Sequence, residues 1–229
     1  MQTRPARSLL VNAALVCCSC CLLAQNPQLR TRNGGQFPTV VFTSVLWSAD
    51  PSYYSIAIDS SGAATYLSAP DAIEKTGVPF TIEFQATDRT RRLVFNIAQR
   101  RDFLADAPSQ PVFLPDKNNV RTLAYVYGHV NNQFTYATPP GPDLDEITSV
   151  FEELAETFES GRRLVYLQQN DRNAIDSQLE RLQAQLDRHH LREFQALVPA
   201  LRTVLSDGRL GADTRARVEK LLEVAQRWH

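Results

Sequence analysis

Cysteine is missing from almost the whole chain. All four cysteines lie between residues 17 and 21, inside one apolar run. If that run is removed, the remaining protein has no thiol. Disulfides, thiolate nucleophiles and Cys-ligated metal sites are then excluded together.

An excess of one charge and the common catalytic motifs are missing as well. The chain carries 24 basic and 25 acidic residues, and residues 25–229 have a formal charge of −3. A near-neutral mixed surface gives no electrostatic reason for a nucleic-acid partner. No Gly-x-Ser-x-Gly, Ser-x-x-Lys or His-Glu-x-x-His motif occurs, and the nine glycines form no phosphate-binding spacing. The sequence therefore favours a protein that is not an enzyme and has no cofactor.

What the N-terminus does contain is a basic and then apolar segment. Arg4 and Arg7 precede an apolar segment, and the segment ends at Leu22-Leu23-Ala24 before polar residues. A basic start, an apolar centre and a small final residue are typical of a secretory signal peptide. We therefore predict a signal peptide over residues 1–24 and a periplasmic or extracellular location.

Two other outcomes remain open for this segment. Residues 8–24 are at the lower length limit for a bilayer-spanning anchor. Lipidation of a cysteine is the other alternative, although neither Cys20 nor Cys21 has the expected preceding residues. Beyond the segment no stretch is apolar enough to span a membrane, so no integral span is expected after signal removal.

The next part of the chain has the pattern of an antiparallel sheet. Residues 25–38 are polar and predict a flexible leader, and a strand is predicted over Thr39–Trp47. Apolar residues alternate through Tyr54, Ile56 and Ile58, and Asp59-Ser60-Ser61-Gly62 provides a turn to a partner strand over Ala64–Leu67. A short strand is predicted over Phe80–Phe84.

A helix and a second hairpin follow. Thr87 or Asp88 caps a predicted helix over Arg89–Leu104, with apolar residues on one side. Residues 105–119 contain three prolines and are predicted to be irregular. Strands over Val120–Tyr127 and Asn132–Ala137 form the second hairpin.

From residue 143 the period becomes helical. Asp143 and Glu146 have the spacing of a capping box, and an apolar stripe with Gly161 on it continues to Val165. Three shorter stripes follow: Ile175, Leu179, Leu182, Leu186 and His189; Leu191, Phe194, Leu197 and Leu201, bent by Pro199; and Val218, Leu221, Leu222, Ala225 and Trp228. We predict an α+β domain over 39–170, with helices on one face of an antiparallel sheet, and a C-terminal helical bundle over 171–229.

Two groups of polar residues have spacings that metal sites use. His189 and Glu193 are four residues apart, which places two ligands on one helical face, but a zinc site needs a third ligand. Glu152, Glu156 and Glu159 lie on one side of the long helix beside its apolar stripe. We interpret the glutamates as a solvated acidic face and His189 as a structural histidine, so no metal is expected.

The tyrosines are the most suggestive group. Five of the tyrosines on the predicted strands form the candidate binding surface: Tyr53, Tyr66, Tyr125, Tyr127 and Tyr136. A tyrosine combines apolar area with a hydroxyl, which suits a ligand or protein surface. The alternative is that most of them pack in the core and across strands.

The first half also resembles a group of uncharacterised exported bacterial domains. The likeness covers about residues 40–165 and is carried by Tyr54-Ser55-Ile56-x-Ile58-x-x-x-Gly62-x-x-x-Tyr66, by Phe95 and Phe103 in the predicted helix, and by Val120-x-Thr122-Leu123. The resemblance implies an α+β fold in a bacterial envelope setting. It implies no activity.

These observations favour an exported non-enzymatic module that binds an unknown protein or envelope component, or contributes to envelope structure. One alternative is an exported hydrolase that uses carboxylates without metal or cysteine. Another is an assembly protein that docks through its C-terminal helices.

The export signal gives the first testable prediction. The mature protein should begin near Gln25 and contain no thiol, as N-terminal sequencing and thiol titration of exported protein will show. An intact N-terminus that starts before Ser8 would instead indicate an anchor.

Overall fold

The computed structural model describes residues 35–46, 49–69, 79–105 and 119–228. These residues form a six-stranded antiparallel sheet and five helices, and most of the helices follow the sheet in the chain. The predicted α+β class is confirmed. The predicted signal peptide and most of the leader and of the proline-rich segment lie outside the described residues.

The sheet has the strand order β4-β3-β2-β1-β5-β6, with every pairing antiparallel. The strands are β1 Thr39–Leu46, β2 Tyr53–Asp59, β3 Ala63–Ala69, β4 Phe80–Gln85, β5 Asn119–Tyr127 and β6 Val130–Tyr136. β1 lies in the interior of the sheet and pairs with β2 on one side and with β5 on the other. The first predicted strand is confirmed as far as Leu46, and Trp47 lies outside the described residues. Both hairpins and the short fourth strand are confirmed, although β6 begins two residues earlier and ends one residue earlier than predicted.

The hairpin between β2 and β3 closes as its residues predict. The Asp59 side chain is buried, and its Oδ1 accepts from the N–H groups of Ser61 at 2.9 Å and Ala63 at 3.1 Å. Gly62 takes φ +90°, a conformation that favours glycine. The conformation of this turn therefore follows from two of its own residues, the acceptor Asp59 and the glycine Gly62.

The first helix, α1 Asp88–Arg100, begins at its predicted cap and ends earlier than predicted. The Thr90 N–H donates to Thr87 Oγ1 at 3.3 Å, so Thr87 is the N-cap. Val94, Ile97 and Ala98 are buried in the core. The chain leaves the helix at Arg101 and makes a separate turn over Asp102–Leu104.

The long helix, α2 Pro142–Asn170, does not begin with the predicted capping box. Its N-cap is Gly141, which has no side chain to accept a hydrogen bond, and Pro142 stands in the first helical turn. Asp143 and Glu146 instead accept from the guanidinium of Arg100, at 2.7 and 3.1 Å. Because the helix begins at Pro142, Asp143 lies inside its first turn and is not its N-cap, so the capping-box prediction is wrong.

The apolar stripe of α2 packs against the sheet as predicted up to Phe158. The ring of Phe151 stacks on Phe42 of β1, with ring centres 5.0 Å apart. Further along, Leu164 is buried in the bundle and the predicted Val165 is only partly buried, because this part of the helix faces the bundle. Gly161 allows the Leu197 side chain to approach α2 closely, because a Cβ on Gly161 would lie only 2.7 Å from Leu197 Cδ2.

Three shorter helices complete the described chain: α3 Ile175–Asp187, α4 Val198–Leu205 and α5 Ala212–Gln226. The buried residues of the three C-terminal stripes pack together with Leu164 in a second apolar cluster. Two details differ from the prediction. Pro199 stands in the first turn of α4 and does not bend it, and His189 is exposed beyond the end of α3 rather than part of its apolar stripe.

α2 contributes to both apolar clusters. Residues Leu144 to Phe158 belong to the cluster beneath the sheet, and Leu164 belongs to the bundle cluster. The change of cluster occurs within the helix, whereas the sequence places the domain boundary at residue 170. The division into a domain over residues 39–170 and a bundle over residues 171–229 stays a prediction. Within the described ranges, no helix has the length and apolar character needed to cross a bilayer.

The tight turn at Gly62 gives a stability prediction. A Cβ at this position would clash with Gln85 Nε2 and would lie 3.3 Å from the Ala86 carbonyl oxygen. Gly62→Val should therefore lower the free energy of unfolding by about 1–3 kcal/mol, from the positive φ and the crowding together. Gly128→Val is the control, because Gly128 also has a positive φ but nothing lies within 4 Å of the added Cβ. Equal losses for both variants in urea unfolding would contradict the crowding argument.

Candidate functional site

The five candidate tyrosines do not lie on one surface. Tyr66 and Tyr136 are completely buried, Tyr125 is 7% exposed, Tyr53 is partly buried and Tyr127 is 48% exposed. Tyr66 and Tyr136 fit the alternative of core packing. Tyr125 and Tyr127 lie together near the β5–β6 turn.

Tyr66 binds a carboxylate that the sequence analysis assigned to solvent. Glu159 is only 3% exposed, and its Oε1 accepts from the Tyr66 hydroxyl at 2.6 Å and the Ser68 hydroxyl at 2.7 Å. Arg162 Nε donates to the other oxygen at 2.5 Å. The interpretation of Glu159 as part of a solvated face is wrong, because α2 crosses the sheet and turns this flank toward the hydroxyls of β3.

The other two glutamates of that group are also paired. Glu152 accepts from Arg121 of β5 at 2.7 Å, and Glu156 accepts from Gln185 Nε2 at 2.6 Å. Burial, reinforced by the Glu159 carboxylate, raises the pKa of Tyr66, so its hydroxyl stays protonated and donates. These contacts hold α2 against the sheet and against α3.

Tyr136 has a similar role with a neutral partner. Thr148 Oγ1 donates to the Leu144 carbonyl at 2.5 Å, so the Tyr136 hydroxyl donates to Thr148 Oγ1, also at 2.5 Å. Burial raises the pKa of Tyr136 to about 12. This tyrosine holds the first turns of α2 against β6.

An exposed apolar surface lies at the turn end of the second hairpin. We call it the hairpin patch and define it as Phe103, Tyr125, Tyr127 and Val130. Phe103, Tyr127 and Val130 are 37%, 48% and 44% exposed, and the Phe103 and Tyr125 rings lie 4.9 Å apart. Tyr127 and Val130 are direct cross-strand neighbours, and Tyr125 is on the same face of β5.

A strained turn places Phe103 on this patch. Asp102, Phe103 and Leu104 have φ values of 45°, 52° and 63°, a left-handed run with no glycine. Each such residue costs about 1–3 kcal/mol. The buried Leu104 side chain and a hydrogen bond from Asn132 Nδ2 to the Phe103 carbonyl, 2.9 Å long, hold the turn.

This turn differs from the sequence prediction, in which the helix continues to Leu104. No glycine or asparagine signals a left-handed residue there. The one indication in the sequence is that Phe103 does not fit the apolar spacing of α1.

A second concave region lies between α1, α2 and the connector before α4. This interhelical cleft has a volume of about 360 Å³ and is lined by Thr87, Arg89, Thr90, Glu153, His189, Leu191, Arg192, Glu193, Arg227 and Trp228. Trp228 contacts Phe194, with ring centres 5.7 Å apart. The cleft therefore lies between the sheet unit and the bundle.

Glu193 is the central polar group of the cleft wall. It is 1% exposed, has φ 53°, and accepts from the Thr87 N–H at 3.0 Å and the Thr87 hydroxyl at 2.8 Å. Its carboxylate therefore lies at the positive N-terminal end of α1. Gln195 donates a further hydrogen bond to it.

The predicted helical spacing of His189 and Glu193 does not occur, because α3 ends at Asp187. Among the described residues, no three potential ligands of the His, Cys, Asp and Glu types lie together as a metal site would need. Glu153, the other acid of the cleft, pairs with Arg192.

Comparisons with known proteins add no family to this description. No protein-family model and no curated protein matches the chain. The resemblance to uncharacterised exported domains stays a prediction.

The Glu159 contact can be tested against the Tyr136 contact. Tyr66→Phe removes a donor from a buried carboxylate and should lower the free energy of unfolding by about 1–3 kcal/mol. Tyr136→Phe removes a bond to a neutral hydroxyl, so its loss should be smaller, about 0.5–1.5 kcal/mol. Chemical unfolding of both variants measures the difference. A larger loss for Tyr136→Phe would show that Glu159 does not depend on Tyr66.

Proposed function

We propose that the protein is an exported, non-enzymatic module that binds a protein partner through the hairpin patch. The observation that carries the proposal is the left-handed turn that holds Phe103 on the surface. A strained turn persists only where surrounding contacts hold it, and strain of this kind concentrates at functional positions. Here the turn leaves a large apolar ring partly exposed and in contact with Tyr125.

The chemistry of the patch suits a protein partner. It combines apolar side chains with two phenolic hydroxyls, and buried aromatic residues carry much of the energy at protein interfaces. No charged side chain belongs to the patch. The partner surface it fits is therefore neutral and apolar, with a hydrogen-bond acceptor for Tyr127.

Export is proposed on the N-terminal sequence alone. The basic, then apolar segment over residues 1–24 supports a signal peptide and a periplasmic or extracellular location. The partner class follows from this location: another exported protein or an envelope component.

One observation favours a hydrolase as the second candidate. Two carboxylates, Glu153 and Glu193, and the imidazole of His189 line the same cleft. General acid–base chemistry needs a carboxyl or imidazole that can change its protonation. Glu193 is already held by Thr87 and Gln195, and Glu153 by Arg192, so both have structural roles that rank this candidate second.

The docking role of the C-terminal helices has less support. The apolar stripes of α3, α4 and α5 bury their main residues in the bundle cluster with Leu164. These helices therefore use their apolar sides within this chain.

Site-specific photo-crosslinking tests the proposed binding surface. We expect a photoreactive phenylalanine analogue in place of Tyr127 to form a specific protein adduct in the cell that produces the protein. The control is the same analogue at Tyr166, a tyrosine of α2 that is 59% exposed and lies outside the patch. Adding Phe103→Ala to the Tyr127 variant should reduce the adduct severalfold, whereas the unfolding midpoint should change little.

Two results would contradict the proposal. One is the absence of a protein adduct at Tyr127 while the protein is folded and exported. The other is the same set of adducts at Tyr127 and at Tyr166, since nonspecific collisions would produce that pattern.

A further inference from the structure

β6 is an edge strand of the described sheet. It pairs with β5 through seven consecutive residue pairs, from Tyr127↔Val130 to Arg121↔Tyr136, and no bulge interrupts the ladder. In an antiparallel ladder alternate residues direct their backbone N–H and C=O groups away from the paired strand. The outer edge of β6 therefore presents a regular row of backbone donors and acceptors.

The side chains of β6 do nothing to prevent pairing with another strand. Edge strands are usually protected by charged residues, prolines, bulges or short length. The seven residues Val130–Tyr136 contain no charged residue, no proline and no glycine. The opposite edge strand, β4, carries Glu83 in its middle.

We infer that β6 pairs with β6 of a second copy of this chain, antiparallel and centred on Gln133. In that register Gln133 lies opposite Gln133 of the second copy, Asn131 opposite Thr135, and Val130 opposite Tyr136. Every pair keeps its face of the sheet, because residues an even number apart point to the same side. The helices of both copies then cover the same face of one continuous sheet.

The charge pattern makes a second copy the best-fitting occupant. A two-fold axis places identical or reciprocal residues opposite each other, so any charge near the axis would face its own sign. β6 has none, and its outward-facing Asn131, Gln133 and Thr135 are polar and uncharged. The pairing adds about six backbone hydrogen bonds, two for each residue pair that faces the new strand.

The inferred dimer extends beyond the proposed function and does not depend on it. Val130 belongs to the hairpin patch and lies at one end of β6, so the two patches lie at opposite ends of the strand pair. With about 3.4 Å per residue, they are separated by about 20 Å along the sheet. The dimer therefore presents two copies of the patch to one extended partner or to two partners.

The solution mass of the full chain tests the inference. We expect sedimentation equilibrium to give a reversible dimer, and Gln133→Lys to weaken it by about tenfold or more, because two like charges would lie directly opposite. The matched control is Thr81→Lys, which adds the same charge at an exposed position on the other edge strand. A monomer for the unaltered chain, or equal weakening by both substitutions, would overturn the inference.

A crosslink tests the register independently. In a full chain with Cys17, Cys18, Cys20 and Cys21 replaced by serine, Gln133→Cys places two thiols across the axis. The Cα atoms of such a pair lie about 5.5 Å apart, within the range that a disulfide spans. Mild oxidation should yield a covalent dimer for Gln133→Cys and not for Thr81→Cys. No covalent dimer, or equal yields from both, would contradict the register.

Discussion

The packing of α2 across the sheet is the contact on which the rest of the structure depends. Its first five turns bury an apolar stripe against β1 and β3, where Phe151 stacks on Phe42 and Phe158 packs on Tyr66. Each buried ring of this kind contributes about 1.5–3 kcal/mol. Its last turns bury Leu164 in the bundle, so one rigid helix fixes both apolar clusters in relation to each other.

Polar contacts then select one arrangement of these layers. A buried carboxylate must be hydrogen-bonded, and Glu159 meets this requirement only where Tyr66, Ser68 and Arg162 surround it. Glu193 is also hydrogen-bonded, by Thr87 at the N-terminus of α1, which is 106 residues away along the chain. The two carboxylates thus align α2 with the sheet and the bundle with α1.

Local patterns predicted most of the elements but little of the candidate site. The alternation in β2, the turn at Asp59–Gly62 and the cap at Thr87 each depend on neighbouring residues, so the sequence displays them. The capping box at Asp143 is wrong because the helix already begins at Pro142, and Arg100 of another helix binds both acids. The hairpin patch is not evident from the sequence, because it depends on a left-handed backbone at Phe103 that a contact with the distant Asn132 helps to hold.

By itself the sequence determined the order and type of the elements, the turn chemistry and the absence of thiols after residue 24, since each follows from residues close together in the chain. Only the tertiary structure decided which tyrosines are buried, that Glu159 is buried, and that β6 lies at an edge of the sheet. Burial and strand order depend on contacts between residues tens of positions apart. Side chains with the same local pattern, such as Tyr66 and Tyr127, therefore have opposite environments.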